Sequence, residues 1–444
     1  MDAMNVEGRD RPADHGSDLA TLLPTLLKPD SSRTVVRPFD VEDPPAFAVE
    51  GHSRAQRIVD RVIALDKTAL RAELAAVIRP LAARHRGLET VFARRYDGLD
   101  GVSMDRSTIS REQGLLIGAY FSEEFSFESA ALFNPSIVRH PDQSGVEPGA
   151  LRFILSLRGI GEGHVSSVTF RTGLWTSDGD VTIDAPGRYA VAPRMERSES
   201  ATGELIVTLI CEEAQNISEL VIYPFMPSQG RGIEDVRLVE FTDDHGAQDF
   251  RGTYTAFNGS EVRQGLLRTS DFKTFEMRGV QGSMYSGKGM ALFPRQINGR
   301  YMMLGRQDNE NIWLLSSDDV CSWSGGEKII APRWPWEFVQ MGNCGSPIEI
   351  DEGWLVLTHG VGPMRNYCVG ASLLDKDDPA KVLGRLANPL LAPRSELRDG
   401  YVPNVIYSCG AILRDRTLLL PFGASDNFAG FATVDIDALV AAMV

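Results

Sequence analysis

From about Phe121 to the C-terminus, no segment keeps a helical apolar period for ten residues, the last few positions excepted. Short apolar runs such as RFILSLRG, SSVTFRTG, ELIVTLI, YMMLGRQ, IWLLSSDD, GWLVLTHG and TLLLPFGAS alternate instead with Gly, Asp and Asn turns. Runs of this length and composition, bounded by turn formers, read as strands. A strand followed by a Ser-Asp turn recurs at LWTSDG (174–179), LLRTSDF (266–272), LLSSDD (314–319) and FGASDN (422–427), with a Lys variant at LLDKDD (373–378). The intervals are roughly 50 residues, one being near double, and this fits four-stranded propeller blades. Chance recurrence of a common turn is the plainer alternative.

The chain before this region reads differently. Its first 18 residues, MDAMNVEGRDRPADHGSD, offer too little apolar surface to offset the entropy of ordering. Residues 1–30 are therefore expected to be a largely disordered tail. Residues 31–50 contain three prolines and read as an extended arm. From Ser53 to about Arg95, Ile58, Val59, Val62, Ile63 and Leu65, then Leu70, Leu74, Val77, Ile78 and Leu81, recur at helical spacing. Asp66 marks a break between two helices, and Pro80 a bend or stop near the end of the second. Residues 31–120 thus form an arm and a small helical segment. Its apolar stripe is expected to pack on the wall of the β domain, with homo-oligomerisation as the alternative.

The net charge of −15 repels phosphate backbones and anionic membranes, so neither a nucleic acid nor a membrane is expected as partner. The five cysteines (211, 321, 344, 368 and 409) are scattered without a CxxC pair, and the seven histidines are dispersed. No metal site, disulfide framework or cofactor is expected. The N-terminus lacks the apolar stretch of a signal peptide, and no apolar run is long enough to cross a membrane. A cytoplasmic location is the expectation.

Read in order, the β region carries ALFNPSIV (131–138), FILSLRG (153–159), GIEDVRLVEF (232–241) and KGMALFPRQINGRYMMLGR (288–306). IWLLSSDDVCSW (312–323), MGNCGSPIEIDEGWLVLTHGVG (341–362), GASLLDKDDPAKVLGR (370–385), YVPNVIYSCGAIL (401–413) and FGASDNFAGFATVDIDAL (422–439) follow. This ordered series resembles glycoside hydrolase family 130, which contains β-mannoside phosphorylases and some β-mannosidases on a five-bladed propeller. The resemblance spans about residues 130 to 440. It implies an all-β fold, with a five-bladed β-propeller over residues 121–444 and a small N-terminal helical extension.

Breaking a glycosidic bond takes an acid for the departing oxygen and a nucleophile for the developing oxocarbenium ion. Among the residues themselves, the candidate is Glu234-Asp235-Val236-Arg237, where two carboxylates open a strand and Arg237 shares a face with Asp235. Neighbouring strand residues point oppositely, so only one of the acidic pair is expected in a cleft. Taken alone, the pattern is more simply a turn with an ion pair. In the family pattern, usually EDPR, the aspartate is the general acid and works through a sugar hydroxyl. The resemblance therefore implies Asp235 as the acid and Arg237 as a ligand of sugar or phosphate.

An inverting phosphorylase needs no second carboxylate, because phosphate is the nucleophile; it needs a basic pocket. The resemblance implies phosphate contacts for Lys288 and Arg306, and Arg278 could add charge. Two departures stand out. Gly305 occupies the place of a common family histidine, and Gln264, flanked by Arg263 and Arg268, that of an arginine. The family's hydrolases carry water-activating carboxylates near this place, and Asp308 and Glu310 are available here, although both could be turn residues.

For the sugar, Asn134, Arg158 and Asp426 match family positions around the mannose subsite. His359 could touch substrate or be structural. His164, beside Ser166 and Ser167, is a further candidate contact. Tyr401 and Asn404 either border the cleft or cap a blade, and Trp334 and Trp336 either form a stacking platform or pack a loop.

The expected function is phosphorolysis of a β-mannoside with inversion, giving α-mannose 1-phosphate, with a β-mannoside and inorganic phosphate as the ligands. The alternatives are an inverting β-mannosidase using water and a non-catalytic sugar-binding propeller.

Overall fold

A computed structural model of the chain describes residues 18–41, 43, 53–200, 203–224, 226–284 and 287–444. Of the disordered tail expected over residues 1–30, residues 1–17 lie outside these, as do residues 42 and 44–50 of the arm expected over 31–50. The tail does not extend to residue 30. Ala20–Leu27 is a strand, paired antiparallel with Phe428–Asp435, so the two ends of the described chain share one sheet. The pairing shifts register between Leu22 and Leu26, around Pro24, where a missing backbone donor is tolerated. The segment ATLLPTLL lacks strand alternation because a bulge interrupts it.

Four helices follow: α1 (Arg54–Ile63), α2 (Lys67–Leu81), α3 (Leu88–Asp97) and α4 (Arg111–Tyr120). Asp66 separates α1 from α2 as its spacing implied. Its carboxylate accepts from the Thr68 and Ala69 amides and caps α2, while Pro80 falls in the last turn of that helix. α4 opens with a reciprocal capping box between Ser110 and Gln113. Gly118 lets α4 lie against α3, since a Cβ there would come within 1.9 Å of the Phe92 carbonyl oxygen.

The apolar stripe of the helices buries itself mainly within their own bundle. Val59, Val62, Leu70, Leu116, Ile117 and Phe121 form one cluster, and Leu88, Phe92 and Leu115 pack with Val36 of the strand Thr34–Pro38. Contact with the sheets beyond is polar, through Arg86 with Glu219 and Arg94 with Glu213. The stripe is thus buried mostly by helix–helix packing, and it meets the sheets through Val36, whose strand pairs with Ser122–Ser126.

The remainder is strands arranged as antiparallel meanders. The first runs through Ala131–Arg139, Leu151–Ile160 and Ser166–Trp175. The second runs through Gly232–Thr242, Gln248–Phe257, Val262–Thr269 and Thr274–Gly279, and Leu205–Ile210 and Arg194–Glu199 extend its edge. A single parallel pair, Gly232 with Ser166, joins these two. A third meander covers residues 291–330, a fourth 340–385, and the last joins Ile406–Tyr407 and Thr417–Asp435 to the N-terminal strand. Successive meanders pack face to face: Leu304 and Leu314 meet Trp354 and Val356, while Leu355, Leu357 and Val369 meet Leu418, Leu420 and Ala432. Gly353–Gly362 is buried at every position, which explains why GWLVLTHGVG reads as a continuous apolar run. Among the described residues, no helix is long and apolar enough to cross a membrane.

Candidate active site

Two strands that open their meanders break register at matching places. Pairing jumps from Phe133 to Ser136 in one and from Glu234 to Arg237 in the other. Inside these bulges Asn134 (φ 49°) and Asp235 (φ 52°) adopt the left-handed conformation. Asn and Asp tolerate it better than other non-glycine residues. The strands meet where the Leu238 amide donates to Ser136 Oγ at 3.0 Å, and Asn134 Nδ2 donates to Asp235 Oδ1 at 2.6 Å.

The bulge at 234–235 also overturns the expectation that only one of the two acids enters the cleft. With alternation broken, both meet Arg158, whose Nη2 donates to Glu234 Oε1 at 2.8 Å and whose Nη1 lies 3.5 Å from Asp235 Oδ1. Lys288 Nζ bonds the other Glu234 oxygen at 2.8 Å. Arg158 is itself oriented by Ser166 Oγ at 2.9 Å and lies over the Phe133 ring.

Burial alone would raise the Asp235 carboxyl. Arg158, the Asn134 hydrogen bond, Arg237 and Lys288 outweigh it and hold the group below the usual aspartate range. Asp426 behaves oppositely. Its burial, reinforced by the charges of Asp235 and Glu234 against Arg158 and Arg365, lifts its carboxyl to about 6. Asp426 and Ser425 both have positive φ, and no described side chain hydrogen-bonds the Asp426 carboxylate, which leaves it open as an acceptor.

Below Asp235 the centre is filled by Arg237, which is 3% exposed. It donates to the Gly289 carbonyl at 2.7 Å, to Asn343 Oδ1 and to Tyr407 Oη at 2.6 Å. Arg237 is thus committed to protein partners beneath the acid, rather than projecting freely as a ligand. Beside it, Arg306 Nη1 donates to His359 Nε2 at 3.2 Å. Burial, Arg306 and Arg237 keep His359 well below its ordinary value, hence neutral. Asn343 Nδ2, Arg306 Nε and Asn134 Oδ1 are buried without a protein partner. Such orphaned groups at one place suit a polar ligand.

The outer candidates sit at the rim. His164 (φ 56°) and Tyr401 face each other with ring centroids 5.4 Å apart. Asn404 (φ 64°) contributes backbone, its carbonyl accepting from the Tyr367 amide.

The structure moves Arg278 away from the site and decides the readings left open for Asp308, Trp334 and Trp336. Arg278 lies on the outer strand Thr274–Gly279, three strands from Asp235, bonded to Glu276 at 2.7 Å. Asp308 accepts from the Glu310 and Asn311 amides and from Asn311 Nδ2, which holds it at about 2 in a turn of its own. Trp336 packs against Gly360 and Gly370 and donates to the Ala387 carbonyl, and Trp334 lies between Arg333 and Arg385, so both pack a loop. Gln264, in the place of the family's arginine, donates to the Gly287 carbonyl at 2.5 Å.

Glu234, Asn343 and Tyr407 were not singled out as site residues. Asn343 and Tyr407 fall within the MGNCGSP and NVIYSCG segments that carry the resemblance, and only their contacts reveal them. Among the described residues, no three His, Cys, Asp or Glu side chains group as a metal-ligand set.

Two kinds of comparison bear on this arrangement. The chain matches the family profile described as β-1,4-mannooligosaccharide phosphorylase over residues 193–444. A 1,2-β-oligomannan phosphorylase of Thermoanaerobacter sp. strain X514 is 33% identical over 211 residues, 46% of this chain and 69% of the relative. A β-1,2-mannobiose phosphorylase of Listeria innocua is 34% identical over 217 residues, covering 46% of this chain and 58% of that one. In three dimensions, the Listeria innocua β-1,2-mannobiose phosphorylase in complex with β-1,2-mannobiose superposes with a TM-score of 0.52 at 21% identity, over 72% of this chain and 93% of that one. A putative glycoside hydrolase from Bacteroides ovatus gives 0.52 at 20% identity, over 71% and 90%. More than half of the chain thus matches one family profile, and on that ground it belongs to glycoside hydrolase family 130.

Proposed function

We propose that this chain phosphorolyses β-mannosides with inversion, that its meanders are the blades of a five-bladed propeller over residues 121–444, and that the reaction runs at their hub. The two related sequences named above, from Thermoanaerobacter sp. and Listeria innocua, are mannoside phosphorylases. The observation that carries the reading is Asp235, buried with Arg158, Arg237 and Lys288 acting on its carboxyl, beside orphaned donors on Asn343 and Arg306.

In this reading a mannosyl residue sits on Asp426, Asn134 and Arg158, with the ionised Asp426 accepting from two hydroxyls. Phosphate enters on the opposite face, held by Lys288, Arg306 and Asn343. One of its oxygens bonds to the anomeric carbon as the bond to the leaving oxygen breaks. Asp235 supplies the proton that the leaving oxygen takes, directly or through a sugar hydroxyl. The proton brought by hydrogen phosphate returns Asp235 to its acid form, so the step balances without a cofactor. A single displacement inverts the configuration and gives α-mannose 1-phosphate. The depressed carboxyl of free Asp235 fits this order. A dianion held by Lys288, Arg306 and Asn343 offsets the positive field that keeps it ionised and lets it hold a proton.

The hydrolytic reading needs a carboxylate to activate water; Asp308 is taken up by its own turn, while Glu310 is exposed, with its backbone carbonyl accepting from the Met341 amide, and keeps that alternative for the test below. All five cysteines are free thiols, which suits the cytoplasm as the place of action.

Incubating the protein with β-1,2-mannobiose, with and without inorganic phosphate, tests the proposal. Mannose 1-phosphate formed only with phosphate is expected. Free mannose released equally without phosphate would replace phosphorolysis by hydrolysis.

A further inference from the structure

Apolar exposure is unevenly spread over the molecule. Among the described residues, the five most exposed large apolar side chains are Met364 (87%), Tyr401 (71%), Val444, Phe338 and Val339. All but the terminal Val444 belong to loops that follow one another around the candidate site. The Val339 amide donates to the Val361 carbonyl, placing Phe338 and Val339 beside the end of the strand Gly353–Gly362. Met364 sits in the turn that leaves that strand, next to Arg365, which acts electrostatically on the Asp426 carboxyl. The strand after the turn bonds from the Tyr367 amide to the Asn404 carbonyl, in the loop that carries Tyr401. That loop lies over Asp426, with the Val402 amide bonded to the Ser425 carbonyl, and Tyr401 in turn meets His164.

We propose that Phe338, Val339, Met364 and Tyr401 form a platform for the acceptor side of an oligosaccharide, so that the preferred substrate is a neutral β-mannooligosaccharide longer than a disaccharide. This rests on the phosphorylase reading and deepens it.

Direction follows from the hub. Arg237, Asn343 and Tyr407 fill the space beneath Asp235, so a chain whose end residue occupies the Asp426 subsite extends outward, past the rim. Length follows from the strand ladder. Gln340 pairs with Val361, Val361 with Tyr367, and Tyr367 with Val405. Three inter-strand steps span about 14 Å of backbone from the Phe338 loop to the Tyr401 loop, more than one pyranose ring covers.

Chemistry follows from the side chains, since the apolar face of a sugar ring stacks on aromatic and thioether surface while its hydroxyls stay in water. Backbone strain agrees. Met364 (φ 57°), Arg365 (φ 55°), His164 (φ 56°) and Asn404 (φ 64°) are non-glycine residues in the left-handed region, one or more in each of three rim loops. Such strain gathers where loops present side chains to a ligand.

The test compares β-linked mannobiose and mannotetraose, in both the 1,2 and 1,4 series, in phosphate, with the unaltered chain and with the double variant Phe338→Ala/Met364→Ala. Both positions are exposed, so the substitutions remove little packing. In the linkage the protein accepts, kcat/KM for the tetrasaccharide is expected to exceed that for the disaccharide about tenfold, through KM, and the double variant to lower that ratio about fivefold. An equal rate for both lengths in the unaltered chain, or a ratio untouched in the variant, overturns the platform. A fall in the protein's mass by light scattering in the variant also overturns it, assigning the surface to a second copy of the chain. Phosphorolysis of the disaccharide without length preference refutes the platform alone. Absence of turnover with any saccharide refutes the underlying reaction, and calorimetric affinities for the two lengths then decide the platform separately.

Discussion

The helical segment and the charged cluster around Asp235, the hub of the proposed propeller, use charge in contrasting ways. In the helices, ions sit at the surface mostly one to one: Arg71 with Glu112 at 2.8 Å and Arg111 with Glu89 at 2.7 Å. Exposed pairs of this kind contribute between zero and about 1 kcal/mol each. At the hub each charge is shared. Glu234 serves Arg158 and Lys288, Asp235 serves Asn134 and Arg158, and Arg237 serves Gly289, Asn343 and Tyr407. Burying those ions costs desolvation that a packed apolar core would avoid. The backbone repeats the contrast: α2 and α4 carry side-chain caps and the one left-handed cap, at α3, is the glycine Gly87, whereas Asn134, Asp235 and Asp426 are left-handed non-glycine residues. The helices are built for stability, and the hub gives some of it up to hold a charge pattern in place.

The largest effect should come from removing the acid. Asp235→Asn keeps the shape and the Asn134 neighbour but cannot give a proton, so kcat for phosphorolysis is expected to fall by about 10²–10⁴. Sugar affinity by calorimetry should change little. Turnover within twofold of the unaltered chain would leave the hub without its chemical role.

A second effect separates the two hub aspartates by pH. The Asp426 carboxyl stands at about 6 when folded, against 3.8 for an ordinary aspartate. The folded chain therefore binds this proton more tightly than the unfolded one. The group favours folding as pH falls from about 6 towards 3.8, and its ionisation opposes folding above 6. At one pH unit per 1.36 kcal/mol, the opposition is at most about 3 kcal/mol. If ionised Asp426 accepts the sugar hydroxyls, kcat/KM should rise with pH through about 6. Asp426→Asn should abolish that limb and, at pH 7.5, leave the melting temperature unchanged or higher. A limb that survives the substitution would move the titration to another group.

The smallest effect belongs to the helices. Ser110→Ala removes the capping box of α4 and should cost about 1 kcal/mol of stability in denaturant unfolding. kcat/KM should stay the same. A fall in activity larger than the fall in stability would mean that the helices reach the hub and that the contrast is false.

Much of this was legible in the chain. Helices α1 and α2 announce themselves through apolar spacing and the Asp66 cap, because a helix and its cap are decided by neighbours in sequence. Helices α3 and α4 were not read: α3 begins at a left-handed glycine, Gly87, with no side-chain cap, and the Ser110–Gln113 box that opens α4 lies beyond the apolar period. The strand Ala20–Leu27 was hidden because its partner lies four hundred residues away and a proline bulge breaks its pattern. At the hub, Asp235 and Lys288 came from ordered motifs, whereas Asn343 and Tyr407 became visible only through Arg237, and Arg278 proved to be three strands distant.

The sequence by itself determined the β architecture, the two capped helices and which carboxylate to suspect, since periodicity, capping and turn chemistry are local. Tertiary structure alone decided that Glu234 meets the same arginine as Asp235, that Arg237 is bound from beneath and that Asp308 is spent on its own turn. Those outcomes depend on bulges and on partners brought together from separate meanders, and no local pattern encodes where two such strands will meet.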